Sequence, residues 1–204
     1  MNRQKSDLAA LAGHGKDLWK LFRFDVANPH SWSKYRQLKA VGRRTGAKML
    51  IETGTFLGNT SMRCSKAFDQ VVTIELDPEL HQRAKSFLST RRNVECILGD
   101  ATKKLPEVLV REECSQAVVF LDGHFSSGET AHGDVPEPAC ELLSSLGQFK
   151  DKICAIVVDD FRLFGVEAGW PRKSELLIAA EEIFGDYRLA VHLDQLLIER
   201  ISAN

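Results

Sequence analysis

Short apolar segments alternate with longer amphipathic segments from about residue 47 onward, and this alternation strongly limits the possible folds. Seven segments are rich in β-branched and other apolar residues: 48–53, 71–76, 93–98, 116–122, 153–159, 187–193 and 195–201. Helical patterning lies between most of them, at about 60–68, 78–89, 102–112, 136–146 and 172–184. Continuous apolar strands that alternate with helices are typical of a parallel sheet covered on both faces.

The last two apolar segments break this alternation, because Asp194 alone separates them. Parallel neighbours need a crossover of about a dozen residues or more. These two strands are therefore predicted to pair antiparallel as a terminal hairpin. The expected fold class is α/β, with a doubly wound, mostly parallel seven-stranded sheet that ends in an antiparallel hairpin.

Residues 1–46 have helical patterning of their own. Two stretches, Asp7–Phe24 and Ser31–Arg44, flank the helix-breaking pair Asn28-Pro29. Aromatic residues at helical spacing are usually core residues, and four of them could pack this segment onto the sheet: Trp19, Phe22, Trp32 and Tyr35. We predict an N-terminal helical cap over 1–46 and one globular unit over 47–204, with a substrate lid as the alternative role of the cap.

Composition limits the kinds of partner. The 204 residues include 27 basic and 28 acidic side chains, so no excess positive charge favours nucleic acid, and a small-molecule partner is expected. Five scattered cysteines without CxxC spacing predict reduced thiols rather than zinc ligands. The sequence has neither an apolar stretch of membrane-helix length nor a secretory signal at its start. We expect a cytoplasmic protein without membrane partners; its oligomeric state is open, a homodimer being one option.

The first predicted strand runs into a glycine turn. The segment IETGTFLGNTS contains Glu52, Gly54, Thr55 and Gly58, followed by a helix with Asn59 or Thr60 as its predicted N-cap. Glycines at such a turn allow a ligand to approach the backbone closely, although the turn can also be purely structural. The spacing departs from the GxGxxG pattern of nicotinamide enzymes.

Acidic residues follow the next two strands. Glu75 ends the second strand, where a carboxylate can accept hydrogen bonds from both hydroxyls of a ribose. Its alternative role is to interact with the N-terminus of the helix that begins near Pro78. Asp100 follows the third strand at the same edge. Ligands of open α/β sheets bind outside the carboxyl ends of the strands, so this series of acids predicts a small ligand there.

Residues 47–201, including the terminal hairpin, resemble the class I S-adenosylmethionine-dependent methyltransferases. The resemblance implies a Rossmann-like methyltransferase fold with S-adenosylmethionine as the cofactor. It also implies a role for each residue of the edge. The turn residues Glu52, Gly54, Thr55 and Gly58 would hold the methionine part of the cofactor, Glu75 the ribose, and Asp100 with Ala101 would lie beside adenine.

Three further carboxylates end the fourth and fifth strands. Asp122 stands in VVFLDGHF, and Asp159 and Asp160 stand in ICAIVVDDF. Partly buried carboxylates repel each other unless a cation or strong donor compensates them. Three oxygen ligands suit a hard divalent ion such as Mg²⁺, with Mn²⁺ or Ca²⁺ as alternatives. In the structural alternative, Asp122 caps a loop and the other two cap a helix or pair with Arg162. Binding of an acceptor is the alternative role of Arg162.

This arrangement resembles the metal-dependent methyltransferases of the catechol and of the macrocin or aminocoumarin sugar types. The resemblance implies that Asp122, Asp159 and Asp160 hold the metal, and that Asp122 also belongs to the cofactor and catalytic site. The sugar enzymes carry a proposed catalytic Asp where this chain has His124. An imidazole titrates near neutrality, so His124 is predicted either to take the acceptor's proton or to orient the substrate. The polar loop 124–135 offers donors to an acceptor.

The expected activity is methyl transfer from S-adenosylmethionine, assisted by a divalent metal, to an oxygen of a small hydroxylated acceptor, sugar-like or phenolic. Three alternatives remain open. One is metal-independent methylation of nitrogen or carbon, and another is cofactor binding without catalysis. The third is a different nucleotide enzyme on the same sheet, because a fold does not dictate its chemistry.

Overall fold

The structure is a computed structural model that describes residues 7–22, 30–122 and 138–201. Its α-helices are α1 Asp7–Phe22, α2 Ser31–Thr45, α3 Asn59–Cys64, α4 Pro78–Leu88, α5 Ala101–Leu109, α6 Ala139–Leu146 and α7 Lys173–Phe184. Its strands are β1 Met49–Thr53, β2 Gln70–Glu75, β3 Val94–Leu98, β4 Ala117–Leu121, β5 Ile153–Val158, β6 Tyr187–His192 and β7 Gln195–Arg200. Two short 3-10 helices, Gly147–Lys152 and Phe161–Leu163, flank β5.

The seven strands form one sheet in the order β3-β2-β1-β4-β5-β7-β6. The first five strands pair in parallel, and β7 pairs antiparallel with both β5 and β6. A two-residue turn, Leu193-Asp194, joins β6 to β7, and Leu193 has a φ of 53°. The predicted fold class and terminal hairpin are confirmed.

The hydrophobic core lies on both faces of the sheet. Strands β1, β4 and β5 are buried at every position and consist largely of β-branched and aliphatic residues that favour strands. Helices α5, α6 and α7 cover one face with residues such as Leu105, Leu143 and Phe184. Helices α2 and α3 cover the other face with residues such as Leu38 and Cys64. The carboxyl ends of the central strands are thus held in fixed positions.

Two expectations about packing need correction. Strand β3 was expected to be covered on both faces, but it is an edge strand and Leu98 is 44% exposed. Of the aromatic residues near the N-terminus, Trp19 and Phe22 are exposed, whereas Tyr35 packs against the core beneath α2. The reason is that α2 packs on the sheet, whereas α1 packs mainly against α2. The division into a cap and a main unit at residue 46 stays a prediction.

None of the described helices combines the length and the apolar composition that a membrane span requires.

Candidate functional site

The loops that carry the predicted site residues start side by side at the carboxyl edge of the sheet. Backbone hydrogen bonds continue beyond the strands there, from Gly54 N to the oxygen of Ile74 at 2.9 Å and from Asp122 N to the oxygen of Thr53 at 3.2 Å. Asp159 N likewise donates to the oxygen of Leu121 at 2.9 Å. This register brings residues that are far apart in sequence to one edge.

The glycine turn after β1 needs residues that tolerate left-handed backbone. Gly54 and Gly58 have φ values of 82° and 75°, and Phe56 between them has a φ of 50°. Gly58 is also the N-cap of α3, so the prediction of Asn59 or Thr60 as the cap was wrong. A Cβ atom on Gly58 would lie 3.1 Å from the Leu88 side chain. Both the backbone conformation and the packing therefore favour glycine here.

Two buried side-chain oxygens beside this turn lack a partner among the described residues. They are Thr53 Oγ1, at the end of β1, and Asn59 Oδ1, in the first turn of α3. A buried polar atom without a hydrogen bond costs about 1–3 kcal/mol. Such atoms call for an explanation, and a bound ligand with donor groups is one.

Glu75 ties the glycine turn to the end of β2. Its carboxylate accepts hydrogen bonds from Phe56 N at 2.7 Å and from Asp77 N at 3.0 Å. Burial raises the pKa of Glu75, and the backbone donors oppose that shift. Asp77, not Glu75, caps α4, since it accepts from two backbone N–H groups of that helix. Each Glu75 oxygen keeps acceptor capacity for the hydroxyls of a ribose.

Asp100 is the N-cap of α5 and accepts from both the backbone N–H and the hydroxyl of Thr102, at 2.9 and 2.8 Å. Burial tends to raise its pKa, but the hydrogen bonds from Thr102 and the charge of Lys103 outweigh this effect and lower it. Ala101 follows as the first residue of α5. The placement of Asp100 and Ala101 beside the adenine of the cofactor stays a prediction.

Glu52 points into the protein beneath the glycine turn. It is 1% exposed and accepts hydrogen bonds from Ser61 of α3 and, at 2.8 Å, from Thr73 of β2. Thr55 is also buried, and its hydroxyl lies 2.6 Å from that of Thr73. Burial raises the pKa of Glu52 to about 7, against the effect of its two hydroxyl donors. These contacts make Glu52 a support of the turn, and its predicted contact with cofactor stays a prediction.

Glu52 should make stability depend on pH. Its pKa rises from 4.5 to about 7 on folding, so the folded state binds the proton more tightly than the unfolded state. The free energy of unfolding should therefore fall as pH rises through this range. The shift corresponds to at most about 3 kcal/mol. In urea unfolding, the free energy of unfolding of wild type should fall between about pH 4 and about pH 8, and Glu52→Gln should lack this decrease. The variant therefore gains stability relative to wild type as pH rises. The exposed Glu182→Gln variant is the control, and an equal change in both variants would refute the assignment.

The three carboxylates predicted to bind metal do lie together. One oxygen each from Asp122, Asp159 and Asp160 falls within 4.8 Å of the others. We call these three residues the acidic cluster. Asp159 and Asp160 are 3% and 1% exposed, and Asp160 has a φ of 52°, a conformation that turns the chain sharply after β5. The cluster therefore requires positive charge close by.

Lys34 of α2 supplies part of that charge. Its ammonium donates to Asp122 Oδ1 at 3.1 Å and to Oδ2 at 2.9 Å, and it forms an ion pair with Asp159 Oδ2. No hydrogen bond of normal geometry reaches Asp159 Oδ2 among the described residues, but the ionic contact with Lys34 compensates it. The ammonium also lies 6.0 Å from the centre of the Phe120 ring, within reach of a cation–π interaction.

Lys34 was not recognised in the sequence, although the sequence contains a signal for it. Lys34, Leu38 and Val41 are spaced at i, i+4 and i+7, so they share one face of a helix. Leu38 and Val41 are fully buried against the sheet. A lysine on such a face must find a negatively charged partner, because an unpaired buried ammonium is costly.

The other two members of the acidic cluster have further partners. Arg162 Nη1 lies 2.5 Å from Asp160 Oδ1 and forms an ion pair with Asp194, which lies in the β6–β7 turn and is 2% exposed. Gln195 donates to Asp159 Oδ1 at 2.9 Å. Arg162 therefore neutralises carboxylates, which favours the structural one of its two predicted roles. Asp194 and Gln195 were not recognised in the sequence, because only the fold of the hairpin brings them here.

Charge and burial act in opposite directions on this group. Burial tends to lower the pKa of Lys34, but Asp122, Asp159 and Asp160 outweigh it and hold that pKa above its ordinary value. Burial raises the pKa of Asp122 well above its ordinary value, against the effect of Lys34 and with added repulsion from the neighbouring carboxylates. The neighbouring carboxylates therefore favour the charged form of Lys34.

The acidic cluster matches a divalent ion in the chemistry of its donors but not in the room it leaves. Magnesium needs oxygen ligands at about 2.0–2.1 Å in near-octahedral geometry. Both oxygens of Asp122 and one of Asp159 already contact Lys34, and its ammonium would repel a second cation. A divalent ion does not fit the cluster while Lys34 is in place.

The polar loop 124–135, with the predicted base His124, lies outside the described residues. The role of His124 therefore stays a prediction.

Comparisons with known proteins establish the fold. No protein-family profile and no curated protein sequence matches this chain. Among solved structures, the O-methyltransferase TomG from Streptomyces achromogenes, involved in tomaymycin synthesis and bound to S-adenosylmethionine, is similar with a TM-score of 0.61. That match has 20% identity and covers 98% of this chain and 92% of TomG.

Two further structures give the same result. The O-methyltransferase from Bacillus cereus in complex with S-adenosylhomocysteine has a TM-score of 0.60 at 14% identity, covering 94% of this chain and 91% of that one. The Podospora anserina methyltransferase PaMTH1, also bound to S-adenosylhomocysteine, has a TM-score of 0.61 at 16% identity, covering 99% and 91%. The chain has the Rossmann-like fold seen in these methyltransferases, which confirms the fold predicted from its sequence.

Proposed function

We propose that this chain transfers a methyl group from S-adenosylmethionine to a hydroxyl oxygen of a small acceptor, sugar-like or phenolic. The observation that carries the proposal is a pair of buried oxygens, Thr53 Oγ1 and Asn59 Oδ1, that lie beside a turn requiring glycine and find no partner within the described part of the chain. The amino group of a bound methionine moiety would supply donors to such oxygens. The similar structures support the proposal, since those named above are O-methyltransferases or methyltransferases with this cofactor or its product bound.

The residues at the carboxyl edge of the sheet would have separate roles. When bound, S-adenosylmethionine supplies a methyl group activated by a positively charged sulfur. Glu75 would accept from the ribose hydroxyls, and the glycine turn would allow the rest of the cofactor to approach the backbone. Asp122, which directly follows the adjacent strand β4, would position the acceptor, and such positioning can account for much of the rate enhancement of a transfer reaction.

A metal-assisted form of the same reaction is the second candidate. The observation in its favour is the convergence of Asp122, Asp159 and Asp160 within 4.8 Å. It requires Lys34 to leave the acidic cluster, so the metal-independent form agrees better with the contacts of Lys34.

Binding and turnover test the proposal separately. Calorimetry should detect binding of S-adenosylhomocysteine but not of NAD. Radiolabelled S-adenosylmethionine, incubated with a panel of sugars, catechols and amines, should label hydroxylated acceptors. Cofactor binding without turnover on any acceptor would instead favour a non-catalytic binding protein. Labelling of amines alone would favour an N-methyltransferase, and binding of NAD alone would favour a different nucleotide enzyme.

Asn59 offers a sharper test of the cofactor site. In Asn59→Ala the unpartnered Asn59 Oδ1 is removed, so the free protein should gain up to about 1 kcal/mol of stability. The same change should weaken S-adenosylmethionine binding about tenfold, through loss of roughly one hydrogen bond. Thermal unfolding and calorimetry measure the two effects, with Asn93→Ala as a control outside the turn. Unchanged affinity would remove Asn59 from the cofactor site.

A further inference from the structure

We propose that the ammonium of Lys34 is the resident cation of the acidic cluster and takes the place that a divalent metal ion would occupy among Asp122, Asp159 and Asp160. The cation of the cluster is then a side chain of the protein rather than a bound ion. This inference about charge and contacts stands independently of methyl transfer. Its consequence for catalysis, a reaction that needs no metal, rests on the proposed function.

The contacts of Lys34 match the capacity of an ammonium group. An ammonium has three N–H donors and no acceptor. Lys34 Nζ meets three carboxylate oxygens, two from Asp122 and one from Asp159. These oxygens belong to residues that directly follow two adjacent strands, β4 and β5. Lys34 thus bridges the same two strand ends that a metal ion bound by this cluster would bridge.

Charge compensation leads to the same conclusion. Each of the three carboxylates of the acidic cluster contacts a cation, and both cations are shared. Lys34 contacts Asp122 and Asp159. Arg162 contacts Asp160 and also Asp194, outside the cluster. Bringing a divalent ion into contact with Lys34 would place two cations side by side in a buried site, where repulsion is screened little. The metal and Lys34 are therefore mutually exclusive occupants.

The position of Lys34 is fixed by packing rather than by the ion pairs alone. Leu38 and Val41, on the same face of α2, are fully buried against the sheet. The first turn of α2 is also tied to α1, because Asp17 accepts from His30 N at 2.8 Å and from Ser33 Oγ at 2.5 Å. Helix α2 therefore delivers the ammonium to the carboxyl edge as a built part of the site.

Titration with metal ions tests the proposal without any need for turnover. Wild-type protein should show no calorimetric binding of Mg²⁺, Mn²⁺ or Ca²⁺ up to about 10 mM, above the range of known weak sites. Lys34→Gln leaves the carboxylates without their ammonium, so this variant should gain Mg²⁺ binding. At about a hundredfold excess over Kd, Mg²⁺ should raise the Tm of the variant by roughly 5–10 °C and leave that of wild type unchanged.

Matched variants separate the cluster from general charge effects. Lys39→Gln removes an ammonium from the same helix that lies over the Tyr35 ring, 5.8 Å from its centre, and should behave like wild type. Adding Asp159→Asn to Lys34→Gln should abolish the gained binding. Wild-type binding of Mg²⁺ that is lost in Asp159→Asn would overturn the proposal, as would a Lys34→Gln variant that folds and binds no metal.

A folding defect of Lys34→Gln would not leave the question open. The defect would then come from uncompensated carboxylates, so the double variant with Asp159→Asn should fold better than Lys34→Gln alone. Failure of the second change to restore any stability would overturn the charge-compensation role. Binding of S-adenosylhomocysteine by wild type, measured in parallel, reports on the proposed function and is independent of these outcomes.

Discussion

Replacing Arg162 by methionine is expected to lower the free energy of unfolding by about 3 kcal/mol, because removing one partner of a buried ion pair leaves charge without compensation. Arg162 contacts both Asp160 and Asp194, which are 1% and 2% exposed. Its backbone N–H also donates to Asp194 at 2.8 Å and would remain. Urea unfolding followed by circular dichroism measures the loss.

Two controls define the cause. Arg188→Met also removes a cation from a buried acid, Glu199, but Arg44 still contacts that acid, so the loss should stay below about 1 kcal/mol. Combining Arg162→Met with Asp160→Asn and Asp194→Asn removes the unpaired charges and should recover much of the stability. Equal losses in Arg162→Met and Arg188→Met would contradict the assignment.

Replacing Glu75 by glutamine should weaken S-adenosylmethionine binding about 100-fold or more. The isosteric amide loses the negative charge and turns an N–H₂ group toward either Phe56 N or Asp77 N, the two backbone donors that orient the carboxylate. Hydrogen bonds to charged groups are worth about 1.5–3 kcal/mol each, and about 1.4 kcal/mol corresponds to a tenfold change in affinity. Calorimetry with S-adenosylhomocysteine gives the Kd directly.

The exposed Glu79, in the first turn of α4, provides the matched control. Glu79→Gln makes the same chemical change close by and should leave the Kd unchanged. Thermal unfolding of both variants separates a loss of binding from a loss of folding. A Glu75→Gln protein that folds and binds with wild-type affinity would contradict the role of Glu75 as the ribose acceptor.

Local patterns predicted the framework because each strand and helix carries its own signal. The apolar runs of β4 and β5 and the single residue between the last two predicted strands lead to the sheet and its hairpin. The glycines at 54 and 58 lie in left-handed backbone, which explains why they stand in the turn. The position of β3 at the edge of the sheet was harder to predict, because an apolar run of similar composition can form either a buried strand or an edge strand.

The direction in which a side chain points was harder to predict from the sequence than the secondary structure. Glu52 stands in the motif that suggested cofactor binding, yet its carboxylate turns inward to Ser61 and Thr73. Such a direction depends on the donors that the neighbouring strand and helix present, and those donors are not encoded next to Glu52. The same limit applies to Asp194, because its role depends on an ion pair with Arg162, which is distant in the sequence.

Local patterns in the sequence were enough to predict the secondary-structure elements, the edge at which they meet and the series of acids along that edge. The reason is that strands alternating with helices form a parallel sheet, whose ligands bind at the carboxyl ends of the strands. The cations that balance those acids became visible only in the folded chain. Lys34 and Asp122 lie 88 positions apart in the chain, and their contact depends on how α2 packs across the sheet. Long-range packing therefore places a lysine among the acids for which the sequence predicted a metal ion, since a buried cluster of carboxylates requires a cation but does not specify which one.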